Sequence, residues 1–270
     1  MQRLNRGRAR ASGFTLVELA VVVLVITLLL GSLLIPLATQ VDQRNVAETQ
    51  KRLQEVKEAL LGYAMANGRF PCPAVSTPAP TDSGVEAPLN AGVTGVCTNF
   101  FGYVPGITLG LSNLDNQGFV VDAWGLQSNR IRYAITSAPV NGITNAFTKL
   151  GGMRSVGIQG LGTPTSSGGT AMLYVCASST GATATDCGSA ANTLSNGDTV
   201  FIVYSLGKNA ATSGATGVAS PDEQLNLNGV NPVFVSRTTS TQAGVEFDDI
   251  VLYSSRSSII SQMTVAGQLP

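Results

Sequence analysis

Histidine is absent from all 270 residues of the chain. Its absence removes the commonest general base, every triad that needs an imidazole and most transition-metal sites. Charge is scarce as well: Asp, Glu, Lys and Arg make up 12% of the sequence, with 16 bases against 16 acids. Past the first 13 residues the acids outnumber the bases, which leaves no cationic footprint for a nucleic acid. Motifs for other chemistries are missing too. No GxSxG occurs, and nothing marks a Ser-Lys pair. "SLGKN" at 205–209 lacks the upstream glycine of a phosphate-binding loop and continues with Asn209 in place of Ser or Thr. "GIQGLG" at 157–162 stands among loop residues without a strand before it and a helix after it. The chain is expected not to be an enzyme. Trp124 and Tyr133 read as sheet packing, not as a ligand platform.

No CxxC pair is present among the four cysteines, Cys72, Cys97, Cys176 and Cys187. An even number without metal spacing predicts disulfides formed outside the cytoplasm. Three connectivities are open, of which the sequence-near one, Cys72 with Cys97 and Cys176 with Cys187, is favoured. Each bridge would close a short loop and add about 2–4 kcal/mol.

What the chain does hold is one long apolar run, "GFTLVELAVVVLVITLLLGSLLIPL", from Gly13 to Leu37. Arg3, Arg6, Arg8 and Arg10 precede it, and Leu19 to Val41 carry no charge. As a helix that stretch measures about 34 Å at 1.5 Å per residue, which matches a hydrocarbon core of about 30 Å. The basic leader then predicts a cytoplasmic amino terminus, with everything after about residue 42 on the far side. A cleaved secretory signal would need a shorter core and a small-x-small site, for which only Pro36 and Ala38 are at hand. A plain single-pass anchor explains the length but neither the glycine-aromatic junction nor Glu18.

Gly13-Phe14-Thr15-Leu16-Val17-Glu18 behind a short basic leader resembles the cleavage and methylation motif of type IV pilins and of the pseudopilins of type II secretion. The resemblance implies that a prepilin peptidase cuts after Gly13 and methylates the new amino group of Phe14. It also implies that Glu18 meets the terminal amine of a neighbouring subunit as helices pack side by side. An unpaired buried charge would penalise every other register, so Glu18 would select the stacking geometry. The competing reading lets Glu18 reach back to the aqueous interface. Pro36 inside the helix predicts a kink or a short unwound stretch.

Downstream, Val46, Leu53, Val56, Leu60 and Tyr63 recur on one helical face while Glu48, Lys51, Arg52, Glu55, Lys57 and Glu58 fill the others. Asn67-Gly68 should end the helix, and Pro71 and Pro73 prevent its resumption. Residues 74–117 read as a long irregular connection. Strands are predicted at Phe119–Trp124, Arg130–Thr136, Ala171–Ala177, Thr199–Leu206, Pro232–Val235 and Val245–Tyr253, separated by Gly-, Ser- and Thr-rich loops at 157–170, 178–197 and 208–230. The expected fold is α+β: a long N-terminal helix, membrane-spanning in its first half, packed against a twisted antiparallel β-sheet in the manner of a pilin lollipop. Its parts are a leader at 1–13, the membrane and assembly half of the helix at 14–41, the amphipathic half at 42–68, and a β-rich domain at 69–270.

A second resemblance lies in the distal part. "DAWG" at 122–125, "VYSLGKN" at 203–209 and "FDDIVLY" at 247–253 are similar in order to segments of the major pseudopilins, in which a loop near the carboxyl end can bind calcium. Asp248 and Asp249 match its acidic pair, and carboxylates with loop carbonyls suit calcium, which takes 6–8 oxygens. About 40 residues separate "SLG" from "DDI", longer than in those pseudopilins. The competing reading makes the two acids solvated charges at a strand edge. No other cofactor is expected.

Together these features predict a pilin-like structural subunit, held in the bacterial inner membrane as a single-pass precursor and then built into a periplasmic or extracellular filament. The family implies other pilin subunits, the prepilin peptidase and the inner-membrane assembly machinery as partners, and no nucleic acid. The alternatives are a minor or tip pilin acting as an adhesin, and a type II secretion pseudopilin.

Overall fold

The computed structural model describes residues 13, 15–75, 83–162, 172–211, 220–229, 231–242 and 244–269, with the backbone alone described at 30–38. It divides into two compact units, Met1–Arg44 and Asn45–Pro270.

Helix α1, Leu16–Asn67, belongs to both. It starts with a capping box. The hydroxyl of Thr15 accepts from the N–H of Glu18 (3.3 Å), and the carboxylate of Glu18 accepts from the N–H and hydroxyl of Thr15 (2.9 Å each). It stops at Gly68, whose φ of +67° is cheap only for glycine.

In the second unit, Leu53, Val56, Leu60 and Ala64 of α1 are buried against a six-stranded sheet. The strands are β1 (Phe101–Tyr103), β2 (Arg132–Ile135), β3 (Leu173–Cys176), β4 (Thr193–Ser205), β5 (Val233–Val235) and β6 (Ile250–Ser255). Their order is β1-β2-β4-β3-β5, with β6 also on β4. Long β4 serves three neighbours because its register slips: Thr193–Thr199 faces β3, and its later residues face β2 on one side and β6 on the other. Strand periodicity divides the core into two layers. Tyr133, Ile135, Phe201 and Val203 lie on the side of α1, with α3 (Gly152–Gly162) and α5 (Arg256–Val265). Ala134, Ile202 and Tyr204 face the other side, with Leu173, Val175 and Phe234. "TVFIVYS" reads as one apolar run because both of its faces are covered. A short α2 (Ala91–Thr94) and α4 (Pro221–Leu227) complete the elements.

The stretch 157–162, expected as loop, is the second half of α3, bent at Gly157 (φ +70°), and further expectations are corrected. Among the described residues no helix is long and apolar enough to cross a membrane. The membrane-spanning half and the single-pass inner-membrane placement fall with it. The sheet is mixed, not antiparallel, since β5 runs parallel to β3 through Tyr174↔Val233, Val175↔Phe234 and Cys176↔Val235. Residues 119–124 form no strand: only the isolated bridges Leu114↔Val120 and Val121↔Arg130 occur there, because the chain turns at Gly118 (φ +79°) and at Gly125 (φ +72°).

Candidate metal centre

Carboxylate oxygens of Glu223, Asp248 and Asp249 come within 4.8 Å of one another. Three segments deliver them. The sequence "SPDE" builds a helix start: Ser220 caps α4 by accepting from the N–H of Glu223 (3.4 Å), and Pro221 sits where no helical N–H is needed. Glu223, thus placed on the first turn, is fully buried. Asp248 and Asp249 immediately precede β6, with Asp249 buried and Asp248 half-buried. The loop after β4 closes over them.

Neutral donors hold the group in place. The side-chain amide of Asn209 donates to both oxygens of Glu223 (3.1 and 3.0 Å), and the N–H of Asp248 donates to Glu223 Oε1 (3.1 Å). The backbone N–H groups of Lys208 and Asn209 donate to Asp248 Oδ2 (2.8 and 3.1 Å). Asn226 donates to Asp249 Oδ2 (2.7 Å) and is itself fixed by the carbonyl and N–H of Val235 in β5. Gly207 makes the closure possible: its φ is +66°, and a Cβ there would lie 2.4–2.5 Å from atoms of Asp248.

What remains is an unmet demand. Asp248 Oδ1 and Asp249 Oδ1 are buried and have no hydrogen-bond partner among the described residues. Buried acceptors left unpaired cost about 1–3 kcal/mol each, and more when charged. Burial, with the Glu223 charge adding to it and the N–H groups of Asn209 and Lys208 opposing it, pushes the Asp248 carboxyl up to about 6. Burial also drives Asp249 well above the usual carboxylate range, with Glu223 and Asp248 as further negative neighbours. A hard divalent cation meets this demand. Oxygens about 2.3–2.6 Å from a calcium ion stand up to about twice that distance apart, which suits the spacing here. Glu223, Asp248 and Asp249 would hold it, and the cation would supply the positive charge that no hydrogen bond gives to the two orphaned oxygens. The reading of Asp248 and Asp249 as solvated strand-edge charges is not what the chain does with them.

The three motifs singled out in the sequence converge here. Asp122 of "DAWG" accepts from the N–H of Trp124 (2.9 Å), the amide of Asn129 (3.0 Å) and the hydroxyl of Ser205 (2.5 Å). The same Asn129 amide donates to the carbonyl of Gly207 (2.6 Å), and the N–H of Gly207 donates to Ser205 Oγ (3.1 Å). "DAWG" therefore buttresses the "SLG" turn, which in turn closes on "DDI". On the far side of this segment, Arg52 of α1 donates to the carbonyls of Val121 (3.1 Å) and Asp122 (2.7 Å).

Sequence reasoning missed Glu223, Asn226 and Asn209, because 208–230 reads as loop. "SPDE" was the available signal, a serine cap followed by Pro and two acids. Cys72 is joined to Cys97 and Cys176 to Cys187, with Cα–Cα distances of 5.3 and 5.5 Å, which is the sequence-near pairing. Both bridges are remote in sequence from the acidic loop. Gly13 and Glu18 stand at the start of α1. Phe14, the leader and the side chain of Pro36, with the kink expected there, lie outside the described residues. The chain matches no protein-family profile, no curated protein and no solved structure.

Proposed function

We propose that the chain is a structural subunit of the type IV pilin kind, cut after Gly13 and built into a pilus or pseudopilus filament by packing of its N-terminal helices. One observation carries the reading. The Gly13, Phe14, Glu18 register opens a helix whose large apolar side chains from Leu16 to Leu29 are exposed, Leu16, Leu24 and Leu28 at 86%, 63% and 68%. A helix apolar all round has no face of its own to give to water. An uncovered apolar run of this length marks an interaction surface, and copies of the same helix are its natural cover. In that packing Glu18 exchanges Thr15 for the amine of a neighbour's Phe14. The partners are further subunits, the peptidase and the assembly machinery.

Deleting the chain tests the role. A shaft subunit takes all filaments with it. Filaments that persist and fail to attach would replace this reading with a tip adhesin.

The convergence of "DAWG", "VYSLGKN" and "FDDIVLY" on two buried acids and a half-buried one favours, within the same class, a secretion pseudopilin that holds calcium at Glu223, Asp248 and Asp249. Titration of calcium into the full chain without measurable heat would remove that second reading.

A further inference from the structure

Arg132 hydrogen-bonds the Tyr204 hydroxyl but has no carboxylate partner among the described residues. Its Nε is buried and has no hydrogen-bond partner, and no carboxylate of the described residues lies within ion-pair distance of it. Every other buried or half-buried arginine with described contacts in the sheet domain behaves differently. Arg69 is paired with Glu86 (2.6 Å), Arg130 with Asp115 (2.6 Å), Arg237 with Asp222 (2.6 Å) and Arg256 with Asp198 (2.6 Å). A covered guanidinium N–H is rarely left idle, because the planar fork matches a carboxylate and the covered donor has lost its water.

The sheet register shows what surrounds it. Tyr103 of β1 pairs with Arg132 of β2, which pairs with Tyr204 of β4, so the three side chains form one cross-strand row. The guanidinium carbon lies 5.8 Å from the centroid of the Tyr103 ring. The Tyr204 ring is fixed edge-on against Phe234, centroids 5.3 Å apart, and Phe234 stacks on Phe101 at 6.2 Å. Burial pushes the Tyr204 phenol up to about 12, so it stays a hydroxyl able to donate. A cleft of about 130 Å³ opens over this row, closed by Asn99, Gly102 and Gly229. Asp249 attracts Arg132 at longer range and forms no ion pair with it.

We propose that this cleft binds a carboxylate, with the Arg132 fork as its counter-ion, the Tyr204 hydroxyl as a second donor and the Tyr103 ring as one wall. Its volume, close to the roughly 150 Å³ cavity that takes benzene, limits the ligand to a short-chain carboxylate or to the acidic side chain of a peptide. Asp249 of the carboxylate cluster acts at longer range on both Arg132 and Tyr204 and opposes an anion there, so the Arg132 fork must outweigh it; the site does not depend on filament assembly.

The test is a titration of the full chain with glutarate and, in parallel, with acetyl-glutamyl-methylamide. Arginine Nε–H resonances and calorimetry are the readouts. The proposal expects saturable binding and a shift of one Nε–H signal that is missing in Arg132→Gln. Arg132→Gln and Arg132→Lys should each bind at least ten-fold more weakly, the second because it keeps the charge without the fork. Tyr204→Phe, which keeps the packing, should weaken binding several-fold. Tighter binding of glutarate identifies a free carboxylate, and tighter binding of the glutamyl probe identifies a peptide side chain. No saturation by either probe overturns the proposal, as does an equal shift with chloride or phosphate at matched ionic strength. Unchanged affinity in Arg132→Lys, with its unfolding midpoint intact, overturns it too.

Discussion

The two units leave different things unfinished. In Met1–Arg44, the large side chains from Leu16 to Leu29 are apolar and exposed, and the helix polar groups are met by its own ladder and by the Thr15–Glu18 box. In Asn45–Pro270 the sheet buries its apolar side chains in two layers, and the buried polar atoms without a hydrogen-bond partner among the described residues are Asp248 Oδ1, Asp249 Oδ1 and Arg132 Nε on charged groups and Trp124 Nε1 and Ser254 Oγ on neutral ones. An uncovered apolar helix gains about 25 cal/mol per Å² when a similar surface closes on it. An orphaned carboxylate gains from a cation and from nothing apolar. On the proposed reading, other subunits would complete the first unit and small charged ligands the second.

The largest expected effect breaks the first half of this comparison. Leu24→Lys places a charge on the uncovered run and should abolish filaments, while the unfolding midpoint of the sheet domain stays unchanged. A shifted midpoint would show that the helix surface is needed within the chain.

A second variant sharpens the contrast between satisfied and orphaned acids. Glu86 is fully served: Arg69 reaches both of its oxygens (2.8 and 2.6 Å), and the N–H of Cys72 adds a third bond (3.2 Å). Arg69→Ala strands that buried charge and should destabilise the domain by about 3–5 kcal/mol in denaturant unfolding. Asp249→Asn removes a buried charge that only the Asn226 amide and, at longer range, Arg132 offset, so without calcium it should cost little or stabilise. Calcium at 100 times its dissociation constant should add about 2.7 kcal/mol to the natural chain and nothing to Asp249→Asn.

The same site sets a pH dependence. The Asp248 carboxyl is raised from 3.8 to about 6 in the folded chain, so the folded state holds the proton more tightly. Its contribution to stability is full below about 3.8 and is lost as the pH rises through about 6. Calcium-free protein should therefore lose stability between pH 4 and pH 7 at this group. Calcium competes with that proton, so its affinity should fall as the pH drops below about 6. Thermal unfolding with chelator and with calcium across that range checks both signs.

The smallest effect is at the helix start. Thr15→Ala removes the reciprocal cap and should cost about 1 kcal/mol of local helix stability, visible as faster amide exchange in the first turn.

How far the sequence carries follows the same division. The buried face of α1 at Leu53, Val56 and Leu60 is legible because helical spacing is local, and so is the stop at Gly68. The apolar run and the Thr15–Glu18 spacing are local as well. Arg52 misleads: it shares the polar face with Lys51 and Glu55, yet it is drawn to the carbonyls of Val121 and Asp122, residues that no periodicity places beside it. The parallel pairing of β5 with β3 depends on where the 178–232 segment returns, and the strand "VFV" is the same in either direction. Asp248 and Asp249 stand out as an adjacent pair, but the third carboxylate comes from α4, 25 residues upstream of Asp248. Its serine cap and proline were readable, and the surrounding Gly, Ser and Thr hid them. The Arg132 cleft was not readable, since an unpaired arginine is defined by the acids that fail to reach it.

Intact-mass and amino-terminal analysis of the protein recovered from sheared filaments tests the proposed role most directly. The account predicts a chain that begins at N-methylated Phe14 and is abundant in that fraction. A chain that still begins at Met1, and is missing from filaments under conditions in which they form, would contradict it.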